Sequence, residues 1–143
     1  MTAKEYLRQY EYAVKRIQRL EEEYEAEILL IDAVRSVSDN DGMPHGNGIS
    51  KPTEDKAIRL ADKALRLTEA KLDAIKIRQE LFDFIEQIDG DEGEVLYRRY
   101  VKLELWREVA SDMGYTERAV FQIHARALAV VEQKRKESCI VFQ

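Results

Sequence analysis

The chain has 143 residues, 45% of them hydrophobic and 36% charged, and a net charge of −5. That mixture suits one helix-rich globular domain, or one domain with an extension, and a charge of this sign argues against a uniformly basic nucleic-acid coat. No apolar run approaches the ~18 residues of a membrane span. The opening Met1-Thr2-Ala3-Lys4-Glu5-Tyr6 has no apolar signal core.

Cys139 is the only cysteine, so no internal disulfide can form. Together with His45 and His124 it matches no zinc spacing, and neither metal nor cofactor is expected. A reducing, cytoplasmic setting fits this cysteine usage.

From Thr2 to Val37, Leu7, Tyr10, Val14, Ile17, Tyr24, Ile28 and Ile31 recur at steps of three and four, with Glu21 in one slot. This predicts a long helix with a packing seam, widened by Ala13, Leu20 and Val34. Residues 38–53 are nearly all turn formers or helix breakers, and five of the chain's eight Gly and Pro residues lie between Gly42 and Pro52. Thr53 offers an N-cap to a second helix running from about Glu54 to Ile88. Its expected seam is Ile58, Ala61, Leu65, Thr68, Leu72, Ile75, Gln79 and Phe82. Neither seam is broad enough to stand alone. The simplest arrangement is an antiparallel helical hairpin about 50 Å long, which also offers a surface for a homo-oligomer.

Asp89-Gly90-Asp91 interrupts the pattern. A third helix is expected from Asp91 and Glu92 to about Lys102, a fourth from Trp106 to Met113, and a fifth from Thr116 to about Lys136. The fold class is therefore all-α. The expected domains are 1–89, the hairpin with its loop 38–53, and 90–137, followed by a frayed or locally packed tail 138–143.

The most informative stretch is Trp106-Arg107-Glu108-Val109-Ala110-Ser111-Asp112-Met113-Gly114-Tyr115-Thr116-Glu117-Arg118-Ala119-Val120. Ala110 allows two helices to cross closely. Gly114 can adopt the positive φ that ends a helix, and Thr116 can cap the next one. Val109, Val120 and Ile123 are spaced to share a small core. This is the steric logic of a helix-turn-helix. The charge changes along the chain in the same sense. Residues 1–90 hold 14 basic and 19 acidic side chains, whereas 116–136 hold five basic and two acidic.

The same stretch, with Leu96-Tyr97-Arg98-Arg99-Tyr100 before it and Gln122-Ile123-His124-Ala125-Arg126-Ala127-Leu128 after it, resembles region 4 of sigma-70 factors over roughly residues 92–131. Leu105 stands where Ser or Thr usually caps the first helix of that motif, and Arg107 replaces its first Glu. With its opening Lys4-Glu5-Tyr6-Leu7, its Met43-Pro44-His45 loop and this C-terminal stretch, the whole chain is similar to small phage proteins of Gram-positive bacteria that are likened to late-transcription regulators of the RinA and ArpU kind.

The resemblance implies sequence-specific binding of double-stranded DNA inside a bacterial host cell, acting with or on RNA polymerase. It places Glu117, Arg118, Phe121 and Gln122 at base edges, where Arg suits guanine, Gln suits adenine and Phe121 suits a thymine methyl. Thr116, Arg126, Lys134, Arg135 and Lys136 become the phosphate contacts. Alternative expectations are a DNA-packaging recognition subunit and a polymerase-binding mimic of region 4 without DNA affinity.

No enzyme is expected. Gly46-Asn47-Gly48 follows no strand and lacks the remaining glycine of a phosphate-binding loop, and no triad can be assembled. His124 and His45 are expected to be surface or cap histidines. Tyr10 and Tyr24 are expected to be packing residues, and Glu21-Glu22-Glu23 points around its helix and forms no metal site.

Overall fold

A computed structural model of the chain describes residues 1–39 and 51–141, with side chains over 1–34 and 54–138. Every regular element among these residues is helical: α1 (Ala3–Leu7), α2 (Gln9–Asp39), α3 (Lys51–Glu86), α4 (Gly90–Leu96), a π-helical turn (Tyr97–Val101), α5 (Trp106–Met113) and α6 (Glu117–Val141). The chain groups into two compact units. One is Met1–Ala13 with Ala74–Gln143, and the other is Val14–Asp73. The division therefore cuts through the two long helices, whereas a boundary near residue 90 was expected.

Local chemistry explains the starts and stops. Thr2 opens α1 with a reciprocal capping box: Glu5 N donates to Thr2 Oγ1 at 3.2 Å, and Thr2 N donates to Glu5 Oε2 at 2.8 Å. The single helix expected from Thr2 is offset at Arg8, whose ψ is 0°, although Tyr12 N still donates to Arg8 O. Helix α3 already includes Lys51, Pro52 and Thr53, so Thr53 does not cap it. Proline is tolerated in a first turn because its missing N–H would have no partner there. The remainder of the expected loop, residues 40–50, lies outside the described residues. Helix α6 continues through the expected tail to Val141, and residues 142–143 lie outside the described residues.

In the Val14–Asp73 unit, ion pairs join α2 to α3. Lys63 Nζ lies 3.1 Å from Glu27 Oε2 and 3.5 Å from Glu23 Oε2, and Lys71 Nζ lies 3.4 Å from Glu21 Oε1. Partners move down α2 as they move up α3, which is an antiparallel register. Glu21, the polar interruption of the first seam, thus meets a lysine. The α2 seam is as expected, with Val14, Ile17, Leu20, Tyr24, Ile28 and Ile31 all partly buried. Val34, expected to widen it, is exposed.

The α3 seam is not as expected. Leu60, Ala64 and Leu67 face inward and Ala70 is buried, while Ile58, Ala61, Leu65, Thr68, Leu72, Ile75 and Gln79 are exposed. A stripe containing alanine lets the helices approach closely, so the larger side chains are left on the far side. Leu72→Asp, which the expected register made destructive, should change the stability of the monomer by no more than about 0.5 kcal/mol. Urea denaturation at low protein concentration checks this.

The other unit encloses two cores. Ala3, Leu7, Leu81, Ile85, Ile88, Leu96, Tyr100, Val101, Ala127 and Val131 form the larger. Val95, Val109, Ala110, Val120 and Ile123 form the smaller, with Trp106 and Met113 against it.

Candidate nucleic-acid interface

Helix α5 ends where the sequence indicated. Gly114 adopts φ 74° and ψ 26°, and Tyr115 N donates to Ala110 O at 3.0 Å, closing a Schellman-type C-cap. Thr116 then caps α6, its Oγ1 accepting from Ala119 N at 3.1 Å. The chain reverses within these three residues. Val109, Val120 and Ile123 meet in the smaller core as expected, with Ala110 at the crossing. At the start of α5, Leu105 has no side-chain acceptor, but Glu108 supplies the other half of a capping box by accepting from Leu105 N at 3.0 Å.

The loop before α5 is built on arginines. Arg98 lies 2.7 Å from Glu94, 3.4 Å from Glu104 and 3.2 Å from Asp112, tying α4, the loop and α5 together. Arg99 Nη1 donates to Glu104 O at 2.8 Å, and its guanidinium lies 5.0 Å from the Trp106 ring centroid. Lys102 N bonds to Tyr97 O, the wide turn of the π-helical segment. Leu103 follows at φ 59°, a strained backbone for leucine.

His124 is neither a surface nor a cap residue, contrary to expectation. It is 8% exposed, and its Nε2 lies 2.7 Å from Tyr100 Oη. Trp106 packs edge-on against it with ring centroids 4.6 Å apart. Burial, reinforced by the charges of Lys4 and Arg99, pushes the imidazole down to about 4. Burial likewise raises the Tyr100 hydroxyl to about 12. At neutral pH this is an uncharged, hydrogen-bonded pair inside the helical core.

The candidate contact residues separate into groups. Glu117, Arg118, Phe121 and Gln122 are all exposed. Arg118, Phe121, Gln122 and Ala125 form one strip on α6, opposite the buried Val120, Ile123, His124 and Ala127. Phe121 is 46% exposed and rests against Trp106, with centroids 5.2 Å apart. Thr116 is exposed at the N-terminus of α6.

Arg126 is exposed and lies 3.5 Å from Glu92 Oε1. Lys136 is exposed and Lys134 half-buried. Arg135 is committed elsewhere: its Nη1 donates to Met1 O at 3.1 Å and its guanidinium sits 5.0 Å from the Tyr6 ring centroid. It fastens the N-terminal segment to α6, a role the basic run gave no sign of. Sequence reasoning also passed over Arg98, whose three carboxylate partners are spread along the chain, and Ala125, whose small side chain leaves the outer strip flat.

Among the described residues no cluster of three or more His, Cys, Asp or Glu side chains could hold a metal, and no helix is long and apolar enough to cross a membrane. No family model, characterised protein or solved structure matches the chain.

Proposed function

We infer that residues 106–136 are a helix-turn-helix that binds double-stranded DNA. On this reading the chain is a phage-type transcriptional regulator, similar in its C-terminal third to sigma region 4 and working with or on bacterial RNA polymerase. The supporting observation is the outer strip of α6. A helix seated by Val120 and Ile123 presents Arg118, Phe121 and Gln122 together near its N-terminal end. That end of a recognition helix is the part that enters a major groove. Arg118 and Gln122, four residues apart on one face, are suited to guanine and adenine edges, and the small Ala125 beside them allows close approach. Thr116 and the first-turn N–H groups beside it face the anionic backbone, and Arg126 and Lys136 add positive charge.

Arg118→Ala and Gln122→Ala should each weaken binding to a selected site by about 1–3 kcal/mol and relax the sequence preference at one position. Arg126→Ala should weaken selected and scrambled sites alike and flatten the salt dependence. The comparison uses DNA fragments selected from a random pool, at two salt concentrations, with circular dichroism as the check on folding. Folded Arg118 and Gln122 variants that bind both sites like the parent would exclude this face as the reader.

The exposed Phe121 and Leu105 favour a second reading. An apolar edge beside a weakly basic helix suits a protein partner, and a region 4 mimic that captures polymerase predicts no DNA affinity even at low salt.

A further inference from the structure

The two arginines near the start of α6 are not equivalent. Arg118 has no ion-pair partner among the described residues, whereas Arg126 Nε has Glu92 Oε1 at 3.5 Å. Helical spacing places Phe121 on one flank of the outer strip, against Trp106 of α5, and Arg126 on the other flank, toward α4. The first turn of α4 borders that second flank. Asp91 Oδ2 accepts from Tyr115 Oη at 2.7 Å just before α6 begins, and Glu92 meets Arg126 about three turns further along. Two carboxylates thus line one side of the helix whose outer face carries Arg118 and Gln122. At 28% exposure the Glu92 side chain is the fixed member of its pair, and Arg126, at 67%, is the member that reaches outward.

We propose that Glu92 restrains DNA binding by cancelling the charge of Arg126, so that the duplex is held by the first two turns of α6 and not by the third.

The inference rests on the DNA-binding reading above and adds a residue to it. A phosphate that approaches Arg126 meets a carboxylate at the same guanidinium. The pair offers the phosphate no net charge, so the contact displaces no counterion from the DNA. An exposed ion pair is weak, and Arg126 can swing away from Glu92. The negative charge of Glu92 stays at the edge of the strip when it does. The sequence-independent part of the affinity is lowered, and the base contacts of Arg118 and Gln122 carry a larger share of it. The loss expected for Arg126→Ala then has a definite origin, because that substitution leaves Glu92 unpaired before the phosphates.

DNA binding by the full chain, on a selected and a scrambled site at two salt concentrations, tests the restraint. Glu92→Gln should tighten both sites by roughly three- to ten-fold at low salt and steepen the salt dependence by about one phosphate contact. A loosened α4–α6 packing would weaken binding instead, so the direction of the change separates restraint from mere support. The double variant Glu92→Gln with Arg126→Ala, which restores the local charge balance, should bind like the parent. Glutamine is accepted in the first turn of a helix, so folding should be retained, with circular dichroism as the check. If Glu92→Gln does not fold, Glu92→Ser takes its place. A folded Glu92 variant with the affinity and salt dependence of the parent would overturn the restraint while leaving the DNA-binding reading intact. So would a double variant that binds as weakly as Arg126→Ala alone, since Arg126 would then be gripping phosphate unhindered in the parent. If neither the parent nor Glu92→Gln binds any DNA at low salt, the DNA-binding reading itself fails and the restraint falls with it.

Discussion

Gly93→Ala is expected to lose roughly 3 kcal/mol or more of folding stability, a large loss for the addition of one methyl group. Gly93 is buried in α4, directly after the reversal that brings α4 back on the end of α3. A Cβ at that position would stand 2.1 Å from the carbonyl oxygen of Ile88 and 3.1 Å from its carbonyl carbon. These are backbone atoms, so no side-chain rotation relieves the overlap. Either α4 shifts or the turn at 87–89 opens, and Ile88 and Leu96 belong to the same core. Gly114→Ala supplies the contrast. Its Cβ would meet nothing within 4 Å, and only the positive φ of 74° opposes it, a penalty of about 1–2 kcal/mol. Urea denaturation of both variants makes the comparison. A Gly93→Ala protein no less stable than Gly114→Ala would contradict the close approach of α4 to Ile88.

The second large effect is a loss of stability in mild acid. The unfolded chain protonates His124 near 6.5, whereas burial holds it in the folded protein down to about 4. Between these values the unfolded state binds the extra proton, so stability falls as pH is lowered through this window and is fully present above it. The gap corresponds to about 3 kcal/mol by the time the pH nears 4. The Tyr100 hydroxyl at 2.7 Å and the Trp106 edge leave an imidazolium poorly solvated. Stability measured from pH 7 to pH 4.5 should decline steeply for the parent. The double variant Tyr100→Phe with His124→Leu, which removes the titrating group and its partner together, should decline less. Parallel slopes for the two proteins would show that His124 is not the group being protonated.

Features fixed within a few residues were legible in the sequence. Gly114, Thr116 and the spacing of Val109, Val120 and Ile123 described the α5–α6 reversal because a left-handed C-cap and an N-cap are local chemistry. The α2 seam was legible because Ile17, Tyr24, Ile28 and Ile31 are large and the opposite face is charged. The α3 seam was misread because that helix has two stripes, and size pointed to Ile58, Leu65 and Leu72 when the inward face is built on Leu60, Leu67 and the small Ala64, Ala70 and Ala74. Apolar character does not reveal which of two faces meets a neighbour in the same chain. His124 was placed at the surface because its partner, Tyr100, is 24 residues away and on another element. Gly93 gave no sign because its constraint comes from the turn, not from its own backbone angle. On the candidate interface, exposure of Arg118, Phe121 and Gln122 followed from helical period alone. The diversion of Arg135 to Met1 and Tyr6 did not, because it depends on a contact between distant parts of the chain.

That last contact belongs to a core in which Ala3 and Leu7 are buried with Ala127 and Val131. On the ribosome the two sides of this core emerge far apart in time. Val14–Asp73 can close as soon as α3 has left the exit tunnel, since its partners are neighbours in time. Leu7, by contrast, must wait until Val131 has been made, with its apolar surface open to chaperones in the meantime. Completion of this core is thus tied to completion of α6, and a chain stalled within that helix would present a closed Val14–Asp73 unit while the other unit remained unassembled.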